Sequence, residues 1–340
     1  DVFGLSMTIN PEKQAAQEIA YLLQYPGFLK RDTFAKGRTE IVELRIDKTS
    51  KLCNVALSDM NSIVNCRVLV CAVLRSGTAI APKGNFILRE GDRIFVTASP
   101  HNLTNMLRSL GIITRRVRNV MLCGGGRVSY YLADMLNRHG ISVKLMEKDE
   151  TRCRELSALL PEVTVILGDG TDHAVLDSEG LAKTDALVSL TGMDELNMIM
   201  SLYGQSQGVP QVITKLGRME NHTIIDALAL GSVVCPKELC CNNIVRYVRA
   251  MQNQTGAAVS VHRIAHGQAE AVEFLVDDTT LHCNTLLKDI RLKDNVLVVS
   301  ITHGPKTEIP GGDASFDVGD TIVVVTSGQG TLRQLNDIFA

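Results

Sequence analysis

The sequence predicts an α/β protein in which a parallel-sheet domain is followed by a small α+β module, and the module occurs twice. Strands and helices alternate from Asn119 to Met251, and segments of short strands lie on either side of this region. Those flanking segments contain a repeat that aligns Val68–Val96 with Val296–Val324 without a gap and places Pro82 on Pro310. A repeat separated by a different domain indicates that a larger unit was duplicated.

Composition limits the possible classes of protein. A length of 340 residues suggests two or three domains, and 45% apolar with 21% charged residues is typical of a well-cored globular chain. The net charge of −2 gives no basic footprint, so we expect no nucleic-acid partner. The longest apolar runs, such as Val68–Leu74, have the length of strands and fall short of the roughly 20 residues that span a membrane.

The nine cysteines include no C-x-x-C pair, and no histidine follows at zinc-finger spacing. We therefore expect reduced, mostly buried thiols, as in cytosolic proteins. The vicinal pair Cys240-Cys241 leaves a thiol sensor open as an alternative.

Residues 1–28 are predicted to be the C-terminal remnant of a first parallel-sheet domain, because Asp1–Ala16 resembles Asp226–Cys241. Predicted there are a strand at Leu5–Ile9, a turn at Pro11, a helix at Glu12–Gln24 and a stop at Pro26-Gly27.

Residues 29–114 are predicted to form the first small module. Short strands run from Ile41 to about Gly111, separated by turns at Asn85 and Gly91-Asp92. A short helix at Asn102–Leu110 closes the module, and Thr114–Arg118 reads as a charged, solvated connector.

Residues 115–251 are predicted to form the parallel-sheet domain, and residues 252–340 the second module. The predicted strands are Asn119–Cys123, Ser142–Glu147, Thr164–Leu167, Ala186–Leu190, Gln211–Lys215 and Ser232–Cys235. The predicted helices are Val128–Arg138, Thr151–Leu160, Ala174–Glu179, Asp194–Gln207, Thr223–Leu230 and Lys237–Met251.

A glycine-rich turn, Gly124-Gly125-Gly126, follows the first of these strands and opens a helix. This is the context in which G-x-G-x-x-G binds a dinucleotide: Gly124 permits the tight turn, and Gly126 lets the backbone approach a pyrophosphate at the helix N-terminus. The domain is therefore predicted to be Rossmann-like. Ser129 stands where the third glycine is expected, and a serine is small enough for close helix–strand packing.

Glu147 ends the second strand, twenty-three residues after Gly124. An acid at this spacing accepts hydrogen bonds from a ribose diol, which favours NAD or an adenosine nucleotide over NADP. Arg127 is a candidate phosphate ligand, with an ordinary surface arginine as the alternative.

Polar residues also follow the later strands. Asp169 and Thr171 follow the third, Asp194 and Glu195 the fourth, and Lys215 ends the fifth. Ligands of open α/β sheets bind at this edge. The two acids at positions 194 and 195 have a second interpretation, as simple complements to the helix dipole.

No catalytic group and no metal site are predicted. A dehydrogenase needs an acid or base from a substrate-binding domain, and the flanking modules are small and duplicated. His303 replaces Arg75 across the repeat. The remaining candidates form no triad or metal set: His101, His262, His266 and His282. An NAD-dependent oxidoreductase acting on a small substrate remains the alternative.

With these motifs the chain resembles the TrkA-type regulatory subunits of Trk/Ktr potassium uptake systems, whose repeating units are called RCK domains. The similarity covers essentially the whole chain, and tandem duplication is typical of the TrkA type. The motifs that carry it are the glycine loop with Arg127, Glu147-x-Asp149, Gly168–Thr171, Thr191 with Asp194-Glu195-x-Asn197, Lys215, Asn221-His222 and the Pro236 turn. Both modules resemble the RCK C-terminal module, and residues 115–251 resemble the RCK N-lobe.

The resemblance implies a non-enzymatic cytosolic protein, peripheral on the inner face of the cell membrane. It would form a homo-oligomer (a dimer, tetramer or ring) on a TrkH/KtrB-like potassium-transporting membrane subunit. NAD(H), or ATP or ADP at the same site, would change the ring and gate ion flow. The implied nucleotide-binding residues are Gly124, Gly126, Arg127, Val128, Glu147, Lys148, Asp169, Gly170, Thr171, Thr191, Gly192, Asp194, Glu195 and Lys215.

Overall fold

A computed structural model describes residues 7–112, 116–218, 225, 228, 230–252, 258–327 and 332–340. The chain divides into two compact units, each made from two separate stretches. The first unit combines residues 1–26 with 115–241, and the second combines residues 27–114 with 242–340.

Strands and helices alternate between residues 119 and 215, whereas the two modules consist mainly of short strands. In chain order they are α1 (Pro11–Gln24), β1 (Lys30–Phe34), β2 (Thr39–Arg45), α2 (Leu57–Val64), β3 (Leu69–Arg75), β4 (Thr78–Ile80), β5 (Arg93–Ala98), α3 (Pro100–Ser109), β6 (Asn119–Cys123), α4 (Arg127–Arg138), β7 (Ser142–Glu147), α5 (Glu150–Leu159), β8 (Thr164–Leu167), α6 (His173–Ser178), β9 (Ala186–Ser189), α7 (Asp194–Ser206), β10 (Gln211–Lys215), β11 (Ser232–Val234), α8 (Pro236–Gln252), β12 (Ala258–Ile264), β13 (Ala269–Leu275), β14 (Val296–His303), β15 (Lys306–Glu308) and β16 (Thr321–Ser327).

The first unit is built on a six-stranded sheet in the order β11-β10-β9-β6-β7-β8, and every neighbouring pair is parallel. The strand order reverses between β6 and β9, which is the doubly wound arrangement of dinucleotide-binding domains. Both of these central strands are almost wholly buried. The predicted α/β fold class with a Rossmann-like sheet is confirmed, and the reversal identifies the edge where ligands bind in such folds.

Four strands, β6, β7, β8 and β10, begin and end at the predicted residues. Of the predicted strand Leu5–Ile9, residues 5 and 6 lie outside the described residues, and residues 7–9 are not in a strand. Most of the predicted helix Thr223–Leu230 and the start of the connector Thr114–Arg118 also lie outside them.

Helix α1 belongs to the first unit although it precedes the first module in the chain. The Asn10 side chain accepts a hydrogen bond from the Lys13 amide at 2.9 Å and so caps the helix. The helix packs against α4, and the Gln211 side chain donates to the Leu22 carbonyl at 2.6 Å. Its inward face is apolar and buried: Ala15, Ala16, Ile19, Leu22 and Leu23.

The second unit contains two five-stranded antiparallel sheets with the same topology, β1-β2-β5-β3-β4 and β12-β13-β16-β14-β15. Both sheets carry a bulge at the same place, between Val70 and Ala72 in one and between Val298 and Ser300 in the other. The sequence repeat is therefore a structural repeat.

The Gly-Asp turn of the repeat is held in the same way in both modules. Gly91 has a φ of +85° and Gly319 a φ of +93°, which is the left-handed region that glycine tolerates. Arg75 binds both carboxylate oxygens of Asp92 at 2.7 Å, and His303 contacts the corresponding Asp320 at 2.7 Å. The exchange of arginine for histidine thus falls on a structural contact.

The two modules share one buried apolar cluster. Its first-module members are Phe34, Ile41, Cys71, Ala72, Leu74 and Phe95. Its second-module members are Ile264, Ala265, Ala269, Ala271, Val299, Val323 and Val325. Burial of large aliphatic and aromatic side chains stabilises each by about 1.5–3 kcal/mol, so this cluster holds the modules together as one unit.

Candidate nucleotide-binding site

The glycine loop lies between β6 and α4, at the reversal point of the sheet. Gly124 has a φ of +104°, and a Cβ added there would lie 3.0 Å from backbone atoms of Leu190 and Thr191. Only glycine can therefore bring the end of β6 against the loop that follows β9. Gly126 differs, because an added Cβ would meet no protein atom within 4 Å. The space in front of Gly126 is open to a ligand.

Helix α4 starts directly after this loop, at Arg127. The first four N–H groups of a helix have no partner within the helix, and they favour an anion. Ser129 is fully buried, and its hydroxyl donates to the Gly124 carbonyl. The departure from glycine is accommodated by packing and by this bond. The Val128 side chain is also buried, so this residue can offer a ligand only its backbone.

Glu147 ends β7 with its half-buried carboxylate turned towards the glycine loop. One oxygen accepts from the Gly125 amide at 2.6 Å, and the other accepts from the amides of Lys148 and Asp149 at 2.8 and 2.9 Å. Glu147 thus holds the loop in place as well as standing where a ribose is expected. The Lys148 side chain is exposed.

Two residues of the loop's support lie outside the predicted set. A Cβ on Gly125 would lie 2.7 Å from Leu156 and 2.8 Å from the Glu147 carboxylate, so a side chain there would displace the ends of both of these side chains. Arg152, in the first turn of α5, donates through Nε to the Gly125 carbonyl at 2.8 Å. The middle glycine of the triplet was a visible signal, whereas Arg152 lies on a separate helix and had none.

Arg127 is 80% exposed, and its guanidinium lies 3.6 Å from the Glu12 carboxylate of α1. Nearby, the Asn10 amide donates to the Tyr131 hydroxyl at 3.2 Å. The N-terminal end of α1 therefore lies beside the start of α4 and contacts the arginine that follows the glycine loop.

The segment after β8 forms a compact turn. The Asp169 carboxylate accepts from the Thr171 amide at 2.9 Å and from its hydroxyl at 2.7 Å, and these bonds lower the pKa of Asp169. A Cβ on Gly170 would lie 3.2 Å from Cys123 at the end of β6. Gly170 therefore lets this turn lie directly against the strand that carries the glycine loop.

The far side of the edge is organised by Asn197, which is fully buried. Its side chain accepts from the Thr191 amide and hydroxyl at 2.9 and 2.8 Å and donates to the Lys215 carbonyl at 2.9 Å. It thereby joins the loops that follow β9 and β10. Asn197 stood in the sequence motif but was not among the predicted ligand residues.

Asp194 is more than a complement to the helix dipole, because both its oxygens accept from the Gly217 amide, at 2.8 and 2.9 Å. Burial lowers the pKa of Lys215, and the nearby Asp194 opposes that shift. Glu195 and Gly192 are exposed.

All fourteen predicted residues thus lie at or just beyond the carboxyl ends of β6 to β10, on one edge of the sheet. Cys123 is buried beneath this edge, and burial raises the pKa of its thiol to about 12. All nine cysteines are free thiols. Among the described residues no group of three or more His, Cys, Asp or Glu side chains could hold a metal ion, and no helix is long and apolar enough to cross a membrane.

Comparison with known proteins places this geometry in a family. The TrkA-N domain model matches residues 120–236, and the TrkA-C domain model matches residues 41–111 and again residues 271–340. The chain belongs to the TrkA family. The TrkA-N match contains the glycine loop and the whole polar edge, and each TrkA-C match falls in one module.

Relatives in the family extend over nearly the whole chain. It is 29% identical over 337 residues to the Trk system potassium uptake protein TrkA homolog of Archaeoglobus fulgidus, covering 99% of this chain and 74% of the relative. It is 26% identical over 337 residues to the Trk system potassium uptake protein TrkA of Haemophilus influenzae, covering 97% and 72%.

Solved structures share the fold. The GsuK RCK domain superposes with a TM-score of 0.52 at 14% identity, covering 96% of this chain and 69% of that one. The GsuK channel bound to NAD gives a TM-score of 0.51 at 15% identity, covering 96% and 57%. This chain therefore shares the fold of these RCK structures.

Proposed function

We propose that this chain is the nucleotide-sensing part of a regulator that gates a potassium-transporting membrane subunit of the TrkH/KtrB-like kind. NAD(H), ATP or ADP binds at the carboxyl edge of the parallel sheet and changes the shape of a ring of such subunits. The protein acts without catalysis, as a peripheral protein on the inner face of the cell membrane.

The observation that carries the proposal is the open space in front of Gly126. A glycine that no neighbouring atom requires, at the start of a helix and at the reversal point of a parallel sheet, is what close approach of a pyrophosphate demands. Phosphates would meet the first amides of α4 and Arg127. Glu147, already anchored by three amides, would accept from the ribose hydroxyls.

The remaining predicted residues would complete the site on either side. The turn at Asp169, Gly170 and Thr171 would face the adenosine end. The residues that follow β9 and β10 would line the far end of the cleft: Thr191, Gly192, Asp194, Glu195 and Lys215. The bound group supplies no chemistry in this scheme, because it serves as a signal.

The contact between Arg127 and Glu12 gives a route by which the signal leaves the site. A phosphate that pairs with Arg127 competes with the Glu12 carboxylate for the same guanidinium. Occupancy would then loosen the N-terminal end of α1, while the buried face of α1 stays packed. Binding can shift a two-state assembly only through a difference in affinity between its states, and this competition supplies such a difference.

The decisive experiment is a thermal-shift panel of NAD, NADH, NADP, ATP and ADP, run beside an assay for hydride transfer to hydroxy and oxo acids. We expect stabilisation by NADH, ATP or ADP without turnover. The combined variant Arg127→Ala/Glu147→Gln should lose the shift. The matched control Arg138→Ala/Glu162→Gln changes an exposed arginine of the same helix and an exposed glutamate, and should keep it.

Turnover of any substrate in the panel would favour the oxidoreductase alternative and overturn the regulator proposal. A thermal shift that survives in the Arg127→Ala/Glu147→Gln variant would mean that the site is elsewhere. The gating step needs its own measurement, which is nucleotide-dependent rubidium uptake through the membrane subunit. Uptake that depends on nucleotide equally in wild type and in the Arg127→Ala/Glu147→Gln variant would contradict it.

A further inference from the structure

The first hairpins of the two modules also correspond residue by residue, although they lie outside the segments that the sequence repeat aligns without a gap. The 3-10 turn Ala35–Gly37 joins β1 to β2, and Ala265–Gly267 joins β12 to β13 in the same way. The φ values of Ala35 and Ala265 are 48° and 49°. Counting from these turns, Asp32 corresponds to His262 and Thr39 to Ala269. The matching bulges likewise place Ala72 on Ser300.

Corresponding residues face each other where the modules meet. The Asp32 carboxylate lies 2.9 Å from Nδ1 of His262, and both side chains are buried. A position that contacts its own counterpart lies on the two-fold axis of an isologous interface. In this chain that position holds an acid on one side and a base on the other. Besides His262, the charged groups acting on Asp32 are Lys30 and Arg31 of its own strand.

A second contact, beside the axis, also joins two chemically complementary side chains. The Thr39 and Ser300 hydroxyls are hydrogen-bonded at 2.9 Å and buried. The residues that correspond to them, Ala269 and Ala72, both lie in the shared apolar cluster. A hydroxyl therefore meets a hydroxyl on one side of the axis, and both corresponding positions on the other side carry methyl groups.

A third pair of contacts does not depend on which modules meet. Arg38 donates to the Gly304 carbonyl, and its counterpart Gln268 donates to the Gly77 carbonyl. Both bonds use backbone carbonyls, which any copy of the module has. Hydrogen bonds of this kind therefore do not select one module over the other as the partner.

We propose that Asp32 with His262, and Thr39 with Ser300, form a pairing code that makes each module accept the other module of the chain and reject a second copy of itself. Two first modules would bring two buried Asp32 carboxylates together and set each Thr39 hydroxyl against Ala72. Two second modules would oppose His262 to His262 and set each Ser300 hydroxyl against Ala269. Like charges and unpaired hydroxyls in a buried interface are costly, and specificity arises from such mismatches.

Single substitutions in the whole chain can change which modules are complementary. His262→Asp gives a chain with an acid in both modules, and Asp32→His gives one with a base in both. Each is mismatched by itself. Together they are complementary, because either module of one chain matches the opposite module of the other. The double variant Asp32→His/His262→Asp restores a matched pair within one chain.

Native mass spectrometry of isotope-labelled and unlabelled chains reads out the pairing. We expect the mixture of His262→Asp with Asp32→His to contain at least tenfold more mixed assemblies than a mixture of labelled and unlabelled wild-type chains. The double variant should behave like wild type. Asp278→His, which changes the charge of an exposed residue in the second module, is the control and should leave mixing at the wild-type level.

Poor folding of the single variants leaves two readouts in place. The double variant should recover the yield and melting temperature that each single variant loses, and Thr39→Ala/Ser300→Ala should be more stable than Thr39→Ala alone. A double variant no better than the singles, or a mixture with no excess of mixed assemblies from folded chains, would overturn the proposal.

Discussion

Replacing Gly126 by alanine separates ligand binding from folding in this site. The φ of Gly126 is −70°, and the added Cβ would meet no protein atom within 4 Å, so alanine fits without strain. Alanine is a poorer helix N-cap than glycine by a few tenths of a kcal/mol to about 1 kcal/mol, while it lowers the entropy of the unfolded chain by about 0.4–1 kcal/mol. The free energy of unfolding should therefore change by no more than about 0.5 kcal/mol.

Nucleotide binding should respond quite differently. The new methyl group occupies the space through which a pyrophosphate approaches the start of α4, and a loss of at least about 1.4 kcal/mol corresponds to a tenfold rise in Kd. Isothermal titration with NADH or ATP, beside urea denaturation of the same preparation, measures both quantities. A Kd that stays unchanged in Gly126→Ala would refute the assignment of this loop as the phosphate site.

Two further glycine variants bracket this result. Gly124→Ala places a Cβ 3.0 Å from the backbone of Leu190 and Thr191 at a φ of +104°, so it should destabilise the fold by about 1–3 kcal/mol or more. Gly84→Ala in the first module has its nearest neighbour at 4.0 Å and should change neither stability nor binding.

Three other predictions follow from single contacts. Glu12→Gln should tighten nucleotide binding by up to about fivefold at low salt, because it removes the competitor for Arg127, and the gain should shrink in high salt in titration calorimetry. Cys123 should resist alkylation at pH 8 in the folded protein while the exposed Cys241 reacts, as peptide mass spectrometry will show, because only the thiolate attacks and the pKa of Cys123 is about 12. Asp32→Asn should cost about 1.5–3 kcal/mol of unfolding free energy at pH 7 by urea titration, because it removes the charged partner of the buried hydrogen bond between Asp32 and His262.

The pH dependence of the last variant has a definite sign. Burial alone would raise the pKa of Asp32, but Lys30, His262 and Arg31 outweigh it and lower the pKa below 3.8. The ionised carboxylate therefore stabilises the fold fully above about pH 4 and loses this contribution as the pH falls through the lowered pKa. The difference between wild type and Asp32→Asn should narrow only below pH 4, and a gap that closes near pH 6 would contradict the assignment.

Controls and contrary outcomes for the other two are equally direct. Asp134→Asn removes an exposed ion pair at the other end of α4 and should leave nucleotide affinity unchanged. Weaker binding in Glu12→Gln would show that Glu12 supports the ligand instead of competing with it. Rapid alkylation of Cys123 in the native protein would mean that the sheet edge opens.

The sequence was sufficient for the parallel sheet because its signals are local. Strands β7, β8 and β10 are apolar runs bounded by charged or glycine-rich turns, and the glycine loop sits at the end of another such run. The expected edge followed from topology alone, since the carboxyl ends of parallel strands meet. Asp169, Asp194 and Lys215 were found in this way.

Contacts between segments that are far apart in the sequence could not be predicted from local patterns. The bond between Asp32 and His262 joins residues 230 positions apart, and neither residue belongs to a periodic pattern that points to the other. Arg152 reaches the glycine loop from the next helix. Helix α1 packs on α4, although the whole first module separates these two helices in the sequence. Such contacts depend on how elements pack in three dimensions, which the order of residues along one element does not encode.

A crystal structure of this chain grown with NADH tests the central claim most directly. The account predicts one dinucleotide per chain, with its pyrophosphate at Gly124 to Gly126 and a ribose on Glu147. A dinucleotide bound anywhere else, or a glycine loop left empty at saturating NADH, ATP and ADP, would contradict it.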